Sequence, residues 1–199
     1  MPSQTDFLNE ALIQCGADVI TAIDDGSINA NHCGRLYDSR RRAALEIHRW
    51  QFADWRVALV STGTTPAFEW AYSYTLPADF IALRVFNGAE LDTSQVAEWP
   101  YVNSEGYKIE GPYIYTNLGE VQIVYSRDIT DPNRWTPLFY QMLATWLASG
   151  LALAIRKDHK MSQELLNQAI GQGLPMAAVV DSQQHSVSPY RADDLLRGR

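Results

Sequence analysis

Cysteine is scarce in this chain of 199 residues, with only Cys15 and Cys33, and neither lies in a C-x-x-C motif. That excludes a disulfide scaffold and a zinc ribbon, and it fits free thiols in a reducing compartment. Positive charge is also short: 16 Lys and Arg face 23 Asp and Glu, a net charge of −7. A free-standing nucleic-acid binder needs a basic footprint, so that class is disfavoured. A pore that lets DNA slide past without gripping phosphates is compatible with an acidic wall. No P-loop, dinucleotide fingerprint or nucleophile elbow occurs, nor any internal repeat or low-complexity tract. Residues 1–20 carry Asp6, Glu10 and Asp18 without a basic opening, so no signal peptide is expected.

Aromatic residues are abundant instead, with six Trp and ten Tyr. Such rings bury large area while keeping a polar edge, which suits a core and an interface equally. Hydrophobic residues make up 46% and charged residues 20%, the balance of a globular chain. Helical spacing of Phe7, Leu8, Ala11, Leu12 and Cys15 predicts a first helix, capped by Thr5 and stopped at Gly16. Asp24-Asp25-Gly26-Ser27 predicts a loop. A longer helix follows over 29–52, with Leu36, Ala43, Ile47 and Trp50 on one face. Period-two segments at 56–61, 68–75, 80–87, 107–110, 113–116 and 120–127 predict an antiparallel meander, and 88–105 a loop. Thr136-Pro137 opens a helix to about His159, and Ser162 opens a fourth helical stretch.

The fold class expected is α+β: a four-helix bundle base with an inserted antiparallel β region and a C-terminal tail. Residues 1–54 supply the first helical hairpin, 55–130 the β insert, 131–180 the second helical pair, and 181–199 an extended tail.

Several constellations invite a chemical reading. Leu138 to Ile155 is eighteen residues without a charge, long enough for a membrane span, so a holin-like membrane protein is one alternative. Gln141, Thr145 and Ser149 recur every four residues and give that helix a polar or small stripe, which suits a helix buried among others. His32 and Cys33 adjoin Asp24 and Asp25, but neighbours at a helix start seldom converge as a dyad, and no second ligand pair stands at zinc spacing. A structural role is expected, with no cofactor and no metal. His48, His159 and His185 stand alone. Glu69, Asp79, Glu90, Asp92 and Glu98 could supply a glycosidase pair, so a glycan-cleaving tail enzyme is the other alternative. The run Arg40-Arg41-Arg42 on the second helix reads as a solvated face or as a subunit interface, where Arg is over-represented.

The order of pieces is informative as a set. Leu-Asn-Glu-Ala-Leu at 8–12 precedes an acidic Gly loop, and the long helix ends in His48-Arg49-Trp50-Gln51-Phe52. Tyr74-Thr75-Leu76-Pro77-Ala78-Asp79-Phe80 follows, then the Tyr-Ile-Tyr-Thr-Asn hairpin at 113–117, Val121-Gln122-Ile123-Val124-Tyr125, Asp131-Pro132, and an Ala- and Leu-rich helix from Leu143 to Ile155. Over residues 5–180 this resembles the tail tubular protein A family of short-tailed phages and related head-to-tail adaptors.

The resemblance implies a non-enzymatic ring subunit, dodecameric, between the portal protein and the tail nozzle (tubular protein B), with tail fibres as a further neighbour. DNA would pass through the lumen without specific binding, and no membrane would be involved. The location implied is the virion tail, assembled in the host cytoplasm. Related proteins dock onto the portal through a C-terminal segment. Here that place is held by 181–199, with Tyr190, Leu195 and Leu196 as anchors among Arg191, Arg197 and Arg199. The departure from the family is Gly171 to Pro175, where a kink or break is expected.

Overall fold

The computed structural model of the chain describes residues 2–90 and 106–184. Two helices, α1 (Gln4–Gln14) and α2 (Ile28–Ile47), precede seven strands: β1 (Asp54–Leu59), β2 (Tyr72–Thr75), β3 (Phe80–Phe86), β4 (Ala89–Glu90), β5 (Tyr107–Glu110), β6 (Tyr113–Thr116) and β7 (Val121–Arg127). Three helices follow: α3 (Pro137–Leu151), α4 (His159–Leu166) and α5 (Leu174–Ser182). The class is α+β, as the pattern predicts. Helix packing runs chiefly through α3, which touches α1, α2, α4 and α5. That arrangement does not by itself establish a regular four-helix bundle.

Local chemistry accounts for the element ends. α1 starts two residues earlier than Thr5 suggests, because Ser3 caps it: the Asp6 amide donates to Ser3 Oγ (3.1 Å) and the Ser3 amide to Asp6 Oδ2 (2.8 Å). Gly16 takes φ +69° just past the helix, where a Cβ would be strained. The acidic loop is a turn built on Asp25, which accepts from the amides of Thr21 and Ser27, both at 2.9 Å. Hydrogen bonds to Ser27 and Thr21 hold that carboxyl well below the usual carboxylate range. Ser27 in turn caps α2.

α2 ends at Ile47, five residues before the expected stop, since His48 and Trp50 are already extended. Its buried face also differs from the expected one. Ala30, Cys33, Tyr37, Arg41, Ala44 and Leu45 point inward, and Ile47 is exposed. The spacing 30-33-37-41-44 is a better helical stripe, but it includes an arginine, which a hydrophobic count passes over.

The strands form two sheets rather than one meander. A four-stranded sheet has the order β1-β7-β3-β4, and a three-stranded sheet the order β2-β6-β5; every pairing is antiparallel. The chain alternates between them, so neighbours in sequence are not always neighbours in a sheet. Asn87 and Gly88 both take positive φ and close the β3–β4 hairpin, the two-residue turn that Asn-Gly favours. That turn lies where a loop is expected.

Two apolar cores result. The helical core joins Phe7, Leu12, Leu45 and Trp50 to Trp135, Phe139, Leu147 and Leu151, residues from both sides of the β region. Phe139 and Trp50 meet edge to face at 4.9 Å, and the Trp50 indole N–H donates to the Ala44 carbonyl at 2.7 Å. The second core lies between the sheets, around Tyr74, Phe86, Ile114, Val121, Ile123 and Tyr125. Along β7, Ile123 and Tyr125 face this core, while Val124 and Ser126 are buried by the opposite face.

Past Leu151 the helix widens into π geometry over Ala152–Arg156 and stops at Lys157, which is left-handed with φ +54°. Asp158 then caps α4, three residues ahead of the expected start at Ser162. At Gly171–Pro175, where a kink or break is expected, the chain does not leave helical geometry, but regular α-helix gives way to π turns. The chain winds on from α4 through π turns at Asn167–Gly173 into α5, where Pro175 sits in the first turn. The first turn of a helix needs no donor at that position, and a wide turn ahead of it removes the clash proline causes inside an α-helix.

Candidate functional site

The arginine run is built into the fold by the geometry of α2. Three consecutive residues on a helix point about 100° apart, so the run cannot share one environment. Arg41 is buried. Its Nε donates to Asp128 Oδ1 (2.9 Å) and its Nη2 to Asp128 Oδ2 (3.1 Å), a two-pronged pair just past β7. Its guanidinium also lies over the Tyr37 ring, 5.0 Å from the centroid, and bonds Asp38. Burial opposes the Arg41 charge, but the bonds to Asp128 and Asp38 overcome it and raise its pKa.

Arg40 packs over the Trp146 ring at 5.2 Å and donates to the Trp146 carbonyl at 3.4 Å. Gly150 leaves room for it, since a Cβ there would come within 3.1 Å of Arg40 Nη2 and Leu36 Cδ1. Arg42 is half exposed and adds a third bond to Asp128, at 3.0 Å. Two members of the run therefore tie α2 to the end of β7 and to α3 within one chain. Arg42 is the member with most surface left for a partner.

Two further groups work at the end of α2, and neither is visible as a motif. β3 carries register shifts that leave Ile81 and Arg84 unmatched against β7. A bulge re-aims the side chain it displaces. Arg84 is turned onto the carbonyls of Leu45 (3.1 Å), Glu46 (2.9 Å) and His48 (2.9 Å), while its Nε donates to Ser126 Oγ (2.7 Å). A cation thus closes the negative end of α2. Asp181, on α5, is buried and accepts the Gln51 amide at 2.8 Å. Its carboxylate stands 4.0 Å from His48 Nε2.

The remaining candidates do not converge. Cys15 and Cys33 are both buried free thiols. Burial raises both pKa values, Cys33 to about 11 with Cys15 close by, so neither is a ready nucleophile. His32 is half-buried, one position from Cys33 and about 100° round the helix from it. Among the described residues no group of three or more His, Cys, Asp or Glu could hold a metal. Asp79 is engaged by Arg127 and by the Tyr125 hydroxyl, at 2.9 Å for the latter. Glu69 sits in an exposed turn at φ +66°. Asp92 and Glu98 lie outside the described residues, as do Tyr190, Arg191, Leu195, Leu196, Arg197 and Arg199.

The charge-free helix and its extension, Pro137–Arg156, are long and apolar enough to cross a membrane, but 56% of the most apolar window is buried inside the protein. Thr145 and Ser149, from the polar stripe, are buried too, and their hydroxyls bond the carbonyls of Gln141 (2.9 Å) and Trp146 (2.7 Å) of their own helix. They satisfy themselves locally, so the stripe permits close packing.

Large apolar side chains remain on the outside of both layers. Ile47, Met176 and Val179 are exposed on the helical part, and Trp55, Phe68 and Ile109 on the β part. The chain matches no family model, and a search of curated proteins finds no relative.

Proposed function

We propose that this chain is a structural subunit of a short phage tail, an adaptor that closes into a ring between portal and tail nozzle and lines part of the DNA passage. What carries the reading is apolar surface on two separate parts of the molecule. A ring made by head-to-tail contacts needs two different patches on each subunit, one for each neighbour. The exposed residues on the helical and β layers could supply them. The net charge of −7 suits a lumen that DNA slides through. The ordered resemblance to the tail tubular protein A family supports the same reading.

In this proposal, portal docking falls to the C-terminal segment, with Tyr190, Leu195 and Leu196 as anchors. Deleting residues 185–199 is expected to leave thermal unfolding nearly unchanged and to abolish or strongly weaken co-sedimentation with purified portal. Undiminished binding by the truncated chain would move the contact to the helical part. Negative-stain images of the protein mixed with portal should show rings. A chain that partitions with membranes and needs detergent for extraction would instead favour the holin-like alternative.

A further inference from the structure

We propose that the His48–Asp181 pair makes the seating of α5 pH-sensitive, tight at neutral pH and loosened in mild acid. This inference stands on the single chain and does not depend on the ring reading.

α5 is held weakly for a helix of the core. Of its nine residues only Ala177 and Asp181 are buried, one turn apart, while Met176, Val179 and Val180 face outward. Leu174, partly buried against the helical core, and the Ala177 methyl make a modest apolar anchor, so the carboxylate end matters. Asp181 is 1% exposed. Its Oδ2 accepts from Gln51, but its Oδ1 has no hydrogen-bond partner among the described residues. His48 Nε2 stands 4.0 Å from Oδ2, too far for a hydrogen bond, and is likewise buried without a partner among the described residues. α5 is joined to α4 through the π turns containing Gly171 and Gly173. Wide turns with glycine rewind at little cost.

The surrounding charges act in one direction. Arg84, from β3, opposes protonation of His48, and Asp54, at the start of β1, opposes ionisation of Asp181. Asp54 keeps one oxygen on Arg49 at 2.9 Å. Glu46 lies on the exposed side of α2. α5 has no charge besides Asp181, and α3 has none. Burial lowers the His48 pKa and raises that of Asp181, and in each case burial outweighs the attraction between the two.

The pH dependence follows from linkage. When α5 lifts away, both groups meet water and return towards 6.5 and 3.8. The depressed histidine favours seating above 6.5 and loses that contribution as pH falls through its seated value. The raised carboxyl favours seating below 3.8 and loses that contribution as pH rises through its seated value. Between the two ordinary values the released pair is doubly charged, and seating must bury both charges. Seating is therefore weakest in that interval, and acidification from neutral pH enters it.

Amide hydrogen exchange on the full chain tests this, corrected for intrinsic rates and referenced to α3. Protection of residues 174–182 should fall about three- to tenfold between about pH 7.5 and about pH 5.2. His48→Gln, which cannot titrate, should flatten that change to within about twofold. Asp181→Asn should raise protection at about pH 7.5, because an amide still accepts from Gln51 and can donate to His48. Unchanged or rising protection of the wild type in acid would overturn the proposal. So would an equal fall in His48→Gln, or lower protection in Asp181→Asn. If the asparagine variant does not fold, wild type and His48→Gln still decide the matter.

Discussion

Two aspartates, Asp181 buried and Asp128 nearly so, hold neighbouring elements to the C-terminal half of α2 and the turn after it, and they are served very differently. Asp128 receives three bonds from two arginines, two of them from one planar guanidinium. Asp181 receives one, from a backbone amide, and keeps one oxygen without a partner among the described residues. Burial costs a carboxylate several kcal/mol unless charge and hydrogen bonds answer it. Asp128 is therefore a structural joint, whereas Asp181 is a place where the fold is held with reserve. The elements they secure differ accordingly. Asp128 fixes the end of the central strand β7, and Asp181 fixes the last described helix.

Removing each carboxylate separates the two roles. Asp128→Ala leaves Arg41 buried without its main partner and should cost about 3 kcal/mol. Asp181→Ala removes a carboxylate that is barely compensated and should change stability by no more than about 1 kcal/mol. Urea unfolding at neutral pH measures both. Equal losses would show that the bond count around a buried carboxylate does not set its worth in this protein.

The same contrast explains what could be read from the sequence. Both halves of the helical core and most strand positions follow from periodicity, because apolar spacing is a local signal. The three partners of this comparison are not local. Arg41 pairs with a residue 87 positions away, and Asp181 meets Gln51 across 130. Arg84 reaches α2 only because a bulge turns it there, and bulges leave no mark in alternation. The arginine run reads as one surface feature in sequence, yet the helical twist sends its members to three environments. Periodicity passes over the Asn87-Gly88 turn, counting Asn87 into a strand and Gly88 into a loop, although that pair is a hairpin signal. The two-sheet arrangement is not legible either, because short links constrain strand direction more than partner choice.

Arg84 sharpens the comparison at intermediate cost. Arg84→Met keeps the stem but removes the bonds to Ser126 and to three carbonyls at the end of α2. Some of these carbonyls can recover water, so the loss should be about 1–2 kcal/mol, less than for Asp128. Hydrogen exchange should locate it in the last turn of α2, with α1 unaffected. A loss spread evenly over the molecule would mean that Arg84 serves the sheet and does not cap the helix.

Arg42 carries the smallest expected effect on the fold. It contributes one of three bonds to Asp128, and its side chain is 50% exposed. An exposed ion pair of this kind is worth about 0.5 kcal/mol or less and is screened by salt. Arg42→Ala should therefore unfold at nearly the wild-type urea concentration, and the small difference should vanish at high salt. Arg41 keeps its two-pronged hold on Asp128 in the variant, so the joint itself survives. That makes Arg42 the member of the run at which folding and assembly can be told apart. If the run also serves a subunit contact, Arg42→Ala should reduce ring formation with portal while leaving stability intact. Normal rings from this variant would confine the run to holding α2, β7 and α3 together within one chain.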